Sequence, residues 1–350
     1  MTEASVREVF REQARSCARM GSPFTGRVCA LVADRMRAGG VVADRILGWP
    51  GDASYQGATV ALRLAGGLHG LVLEGAEPAL VAVYPPHEAD DAALWAAISA
   101  ALADHAGYLL ARLDRPPQTN EPQRSAALCP GFLTVAELTG GLPLVTSELG
   151  ASAGLNLSWD RFGYRFGDAT WGDPGSPLQL EPDWRGPPPP LGPLGVAARA
   201  SCDLTPLDAT TDAGRLRLLS YVWPDQAARM ERIAAAIGIA RAAGITVEAA
   251  DAAGWLERRL AEPHPGHVHV VYHSIIWTYL PPETQARIEA SLTDAGARAR
   301  PGAPLAWLRL EGGDAGNGAE ISLTLWPGGE TRVLGRASHH GTWVDWTGWR

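Results

Sequence analysis

The run Leu144-Val-Thr-Ser-Glu148-Leu-Gly150-Ala-Ser152-Ala-Gly154-Leu-Asn-Leu157 carries the residues of this chain best placed to do chemistry. An apolar strand ends on a carboxylate, and a turn of small residues leads into an apolar segment that could open a helix. Glycine in such a turn accepts positive φ and lets a ligand approach the backbone without a Cβ in the way. Amides freed at a helix start favour a polar or anionic ligand group. Two chemistries follow. A turn of this kind at the carboxyl end of a first parallel strand is a nucleotide cradle. Gly150-x-Ser152-x-Gly154 is also the pattern of a nucleophile elbow, with Ser152 as nucleophile, Asp251 as acid and His273 or His339 as base. A tight strand-to-helix turn that binds nothing uses the same residue types.

Glu148, Asp203, Asp251 and His273 fall at the ends of four successive expected strands, where an open α/β sheet binds its ligands. An ionised carboxylate accepts several hydrogen bonds, which suits a diol or an exocyclic amine. Asp160 competes with Asp203 for that role, and Asp203 and Asp251 are equally good as helix caps. His273, with Ser274 beside it, could serve as a general base or be held by backbone groups. Gln118, Asn120, Glu121 and Arg124 concentrate in one loop that could contact substrate or hydrogen-bond to itself. Trp277 and Tyr279 follow His273 as further substrate contacts, and Trp223 and Trp343 could line a pocket or simply pack. No metal-ligand spacing is present, and His339-His340 are adjacent residues that would point apart in a strand, so no metal is expected.

The elements that position these residues change character along the chain. The first 140 residues read as mainly helical. Val6, Val9, Phe10, Ala14 and Cys17 recur at helical spacing, and Asp90 is an N-cap for a helix bearing Leu94, Trp95, Ile98, Ala101 and Leu102. Leu71–Leu73 and Ala79–Val83 fit either short strands or buried helix. From residue 141 to 350 strands and helices alternate, the signature of a mostly parallel sheet. Strands are expected at Leu142–Leu149, Val196–Leu204, Ile245–Ala250, Val268–Tyr272 and Leu305–Leu310. An antiparallel hairpin, Ile321–Trp326 and Glu330–Gly335, closes the sheet. An inserted loop or hairpin over about 164–195 carries Pro187 to Pro190, a run that no helix or central strand accepts.

Composition narrows the function classes. The chain has 350 residues, 46% of them hydrophobic and 19% charged, as in globular proteins. A net charge of −8 without any basic block argues against general nucleic-acid binding. All thirty basic residues are arginine, which excludes a P-loop lysine and a Schiff-base lysine. Cys17, Cys29, Cys129 and Cys202 are scattered, as reduced thiols are. Thr2 to Met20 reads as a helix rather than a secretory leader, and no apolar run is long enough for a membrane span. A soluble, cytoplasmic protein acting on a small molecule is expected.

Read as Glu148-x-Gly150-x-Ser152-x-Gly154, the turn resembles the S-adenosylmethionine motif of class I methyltransferases, with Ser152 where the middle glycine stands. Over nearly its whole length the chain resembles an uncharacterised bacterial family, a domain of unknown function. The residues that carry this are Pro117-Gln-Thr-Asn-Glu121 with Arg124-Ser125, Glu148 to Leu157, Cys202-Asp203-Leu-Thr-Pro206, Trp223-Pro-Asp-Gln226 with Arg229, and His273-Ser274 with Trp277, Tyr279, Leu280 and Pro281. The methyltransferase resemblance implies a Rossmann-like α/β fold behind a helical amino-terminal region, with S-adenosylmethionine as cofactor. It implies that Glu148, Gly150, Ser152 and Gly154 seat the methionine half. Asp203 and Asp251 would hold the nucleoside, and His273 would be available as base. A serine hydrolase and a binder without catalysis are the other readings.

Overall fold

Short polar residues start the helices of the amino-terminal region. In this computed structural model, which describes residues 2–312 and 318–350, the Thr2 side chain accepts from the Ser5 amide ahead of helix Glu3–Arg19. Ser22 does the same for Thr25 ahead of Pro23–Arg35, and Asp90 accepts from Ala92 and Ala93 ahead of Asp91–Asp104. Such caps satisfy amides that have no partner inside the helix. Val6, Phe10 and Cys17 are buried along the first helix. Of the two ambiguous segments the first is helical and the second is helical as far as Val81, with Ala82 and Val83 in a turn. Leu71–Leu73 lies in Val60–Glu74, which is buried nearly all round, and Ala79 enters the short helix Pro78–Val81 behind the capping side chain of Glu77.

The chain divides into two compact units, Met1–Thr119 with Thr211–Ala234, and Asn120–Thr210 with Ala235–Arg350. Within the first, Asp225 of the Trp223-Pro-Asp segment accepts from the Ser22 hydroxyl and from the Phe24 amide. The later insertion thereby caps helix Pro23–Arg35, where an anion is favoured by the helix dipole. Helix Ser125–Leu138 belongs to the second unit.

Among the described residues, twelve strands build the second unit: β1 (Leu144–Leu149), β2 (Gly163–Phe166), β3 (Ala169–Gly172), β4 (Gln179–Leu180), β5 (Asp183–Arg185), β6 (Val196–Asp203), β7 (Glu248–Ala249), β8 (Val268–Ser274), β9 (Leu305–Gly312), β10 (Ala319–Trp326), β11 (Glu330–Ala337) and β12 (Trp343–Trp346). Nine form one sheet in the order β5-β12-β11-β10-β9-β8-β1-β6-β7, and β3-β2-β4 form a second. From β7 to β9 every pairing is parallel; β9, β10, β11 and β12 pair antiparallel. The sheet is thus mixed, with the expected hairpin β10–β11 extended outward by β12 and β5. Every residue of β1 and β8 is buried, as central strands covered on both faces require.

Two departures from the expected elements have local causes. The third parallel strand is only two residues long, because the preceding helix Ala227–Ala242 ends in a left-handed Gly244 and the Ile245 amide is bonded back to the Ala240 carbonyl. The segment at 164–195 holds the hairpin β2–β3 but extends beyond it. Its first part forms the small sheet, and β5 then joins the large one beside β12. Pro187 to Pro190 lies outside all strands, and the indole of Trp184 donates to the Pro187 carbonyl. Among the described residues, no single helix is long and apolar enough to cross a membrane.

Candidate functional site

At the carboxyl end of β1 the backbone is left-handed at three alternate residues, Gly150 (φ 66°), Ser152 (φ 54°) and Gly154 (φ 72°). Glycine tolerates this freely and serine does not. The turn is held from several sides. Ala151 donates its amide to the Cys202 carbonyl (3.0 Å), Ser152 to Asp203 Oδ2 (2.8 Å), and Leu155 to Asn120 Oδ1 (2.8 Å). The segment that follows is a 3₁₀ helix, Leu155–Arg161, rather than an α-helix. The amides that the sequence suggested for a ligand are therefore largely engaged within the chain. The hydroxyl of Ser152 is different: it is buried and makes no hydrogen bond among the described residues.

The two glycines are close-packed. A Cβ on Gly150 would lie 2.8 Å from Ile276 Cγ2, and one on Gly154 would lie 2.8 Å from Ile245 Cγ2. The cradle is covered by apolar side chains of its own unit.

The three carboxylates at the strand ends, and Asp160 in the 3₁₀ helix, sit in four different environments. Glu148 is only 2% exposed, and burial raises its pKa from 4.5 to about 8, against the opposing pull of the Tyr272 hydroxyl bond and the Arg124 charge. Tyr272 donates to Glu148 Oε2 at 3.1 Å. Asp203 accepts the Ser152 amide on one oxygen and the Thr205 amide on the other. Asp251 is half-exposed, caps helix Ala252–Arg259 through Gly254, and lies 3.9 Å from Arg287. Asp160 is committed elsewhere, gripped by two nitrogens of Arg199 at 2.8 and 3.0 Å.

The loop ahead of helix Ser125–Leu138 is brought to the turn, but as its buried support. Asn120 holds the Leu155 amide. Ser125 donates to Asn156 Oδ1 at 2.7 Å, and Asn156 donates to the Glu121 carbonyl. The Glu121 carboxylate accepts the Gln123 amide, and Arg124 donates to the carbonyls of His339 and Ser274. Asn120, Glu121 and Arg124 are all buried. Gln118 belongs to the first unit.

His273 is fully buried with both ring nitrogens engaged. An indole N–H only donates, so the 3.1 Å contact from Trp307 Nε1 makes His273 Nε2 an acceptor. The ring proton then sits on Nδ1, 2.6 Å from Glu311 Oε1. The same carboxylate accepts the amides of Ile276 and Trp277. In this arrangement His273 keeps no lone pair for a substrate. Trp277 stacks on its ring at 5.1 Å, while Tyr279 is 70% exposed. Of the residues a serine hydrolase would use, the Ser152 hydroxyl has no hydrogen-bond partner among the described residues, Asp251 caps a helix, and His273 faces Glu311 and Trp307. Among the described residues no three His, Cys, Asp or Glu side chains are grouped to hold a metal.

Glu311, Tyr272 and Asn156 escaped the reading of the sequence. Glu311 was within reach of it, being one more carboxylate at the end of an apolar strand, here Leu305–Leu310. A family model described as an uncharacterized protein conserved in bacteria (DUF2332) matches residues 7–346. The chain belongs to that family. The DUF2332 match spans both units, so the Asp225 cap and the Gly150–Gly154 turn are parts of one family sequence. No curated protein and no solved structure matches the chain.

Proposed function

We propose that the second unit is a Rossmann-like domain of the class I methyltransferase type. It would bind S-adenosylmethionine at the carboxyl ends of β1, β6 and β7 and serve methyl transfer to a small-molecule acceptor. One observation carries this reading. The parallel strands β7-β6-β1-β8-β9 stand in the order 3-2-1-4-5 of their appearance in the chain, and the left-handed turn lies at the end of the first, beside the point where the order reverses. That point is where doubly wound sheets bind nucleotides.

The side chains fit such a ligand in three places. Asp203 holds two backbone amides and Asp251 one, yet both retain lone pairs suited to a ribose diol and an adenine amine. The Ser152 hydroxyl is buried and unpartnered, a costly state that a bound polar group relieves. Glu148, uncharged over most of the range below pH 8, adds no second full negative charge beside Asp203. When bound, S-adenosylmethionine supplies an electrophilic methyl group. The chain's own contribution is orientation of the two reactants, which accounts for large rate factors without a base. His273 then acts as a positioning residue that steadies Glu311.

Asp251→Ser separates binding from stability, because serine also caps a helix but lacks the carboxylate's remaining acceptors. Calorimetric titration with S-adenosylhomocysteine should show at least tenfold weaker binding in this variant, with its melting temperature nearly unchanged. Equal binding in both proteins would remove Asp251 from the site.

A further inference from the structure

The cover over Gly150 is held in an unusual way. Ile275 is a β-branched residue at φ 52°, a left-handed conformation that such side chains rarely accept. Backbone outliers of this kind concentrate at ligand clamps and switch segments. Immediately after it, the amides of Ile276 and Trp277 both donate to the Glu311 carboxylate, at 3.1 to 3.2 Å. Glu311 is fixed in turn by His273 Nδ1 at 2.6 Å, and His273 by the Trp307 indole. The Ile275 amide is tied to the Leu310 carbonyl at 2.9 Å. The product of these contacts is the position of one side chain. Ile276 is packed directly against the turn, its Cγ2 2.8 Å from where a Cβ on Gly150 would lie.

We infer that Ile276 is the residue that decides whether the turn admits a ligand, and that Glu311 is the positioning residue that latches it shut. The inference rests on the reading of the turn as a ligand seat. Binding requires the segment 275–277 to leave Glu311, which also frees Ile275 from its strained conformation. The apparent dissociation constant is then the intrinsic one divided by the fraction of molecules with the latch open. The contacts that hold the latch are confined to the second unit.

The test has two independent arms on the full chain. Hydrogen exchange without ligand compares the wild type with Glu311→Gln, whose side-chain amide cannot accept from both backbone amides in the same way. Exchange at Ile276 and Trp277 should quicken at least tenfold, and Glu311→Asp, whose shorter carboxylate is drawn back from both amides, reports the same if the first variant does not fold. Calorimetry with S-adenosylhomocysteine should show Ile276→Ala binding at least fivefold more tightly than wild type. Unchanged exchange in both variants overturns the latch whatever binds. Equal affinity of the wild type and Ile276→Ala overturns the gating role. No heat with either protein, together with faster exchange in the variants, supports the latch and overturns the methyltransferase reading beneath it.

Discussion

Glu148 is a residue whose chemistry the fold alters strongly. Its carboxyl is neutral in the native protein up to about pH 8, whereas in the unfolded chain it ionises near 4.5. The native state thus holds the extra proton between those values, and stability falls as pH rises through that window, by up to about 1.4 kcal/mol per pH unit. Glu148→Gln keeps an acceptor for the Tyr272 hydroxyl and removes the titration. Urea unfolding at pH 5 and pH 8 should show a stability loss in the wild type that the variant lacks; an equal loss in both would mean that Glu148 is not buried as a neutral acid. The sequence made Glu148 legible, since a carboxylate in an apolar strand demands an account. It did not show that Asp203 and Asp251 already serve the backbone, because capping and ligand binding call for the same residue type at the same place. Nor did it show His273 sandwiched between a carboxylate and an indole, because Trp307 and Glu311 lie over thirty residues away and only strand pairing brings them together.

At the scale of elements, the polar loop and the turn act as one unit of structure. Asn120, reached through the segment after the first helical region, supplies the acceptor for the Leu155 amide at the start of the 3₁₀ helix. Asn120→Ala leaves that buried amide unpaired, and the expected cost is about 1–3 kcal/mol of stability in chemical denaturation. Asn120→Asp, which retains the acceptor, should recover most of it. A loss confined to ligand affinity, with stability unchanged, would instead make Asn120 a direct ligand contact. The parallel strands were readable from their apolar runs and flanking turns. The short β7 was not, since Ile245 looks like strand in composition but is used to terminate a helix. The small sheet β3-β2-β4 was legible only as a loop or hairpin, because strands of two to four residues carry too little alternation to fix their pairing.

For the molecule as a whole, the division into two units is discontinuous in sequence, with Thr211–Ala234 belonging to the first. A linear reading of hydrophobic periodicity assigns segments to neighbours along the chain and has no means of detecting such a return. Each unit carries a buried neutral histidine. Burial lowers His69 of the first to about 4 and His269 of the second to about 3 from an ordinary 6.5. As pH falls below 6.5 the unfolded chain takes up protons that the native units refuse, so both lose stability down to those lower values. Calorimetric scans from pH 7 to pH 4 should show melting temperatures falling, and His69→Gln should flatten the fall for the first unit alone. A common change in both would mean that the units unfold as one.

We propose that the carboxyl edge of β1, β6 and β7 seats an S-adenosylmethionine-type ligand behind Ile276. Calorimetric titration of the wild type and of Ile276→Ala with S-adenosylmethionine and S-adenosylhomocysteine tests it directly. Saturable binding is expected in both proteins, tighter in the variant. Two folded samples that give no heat with either compound would contradict it.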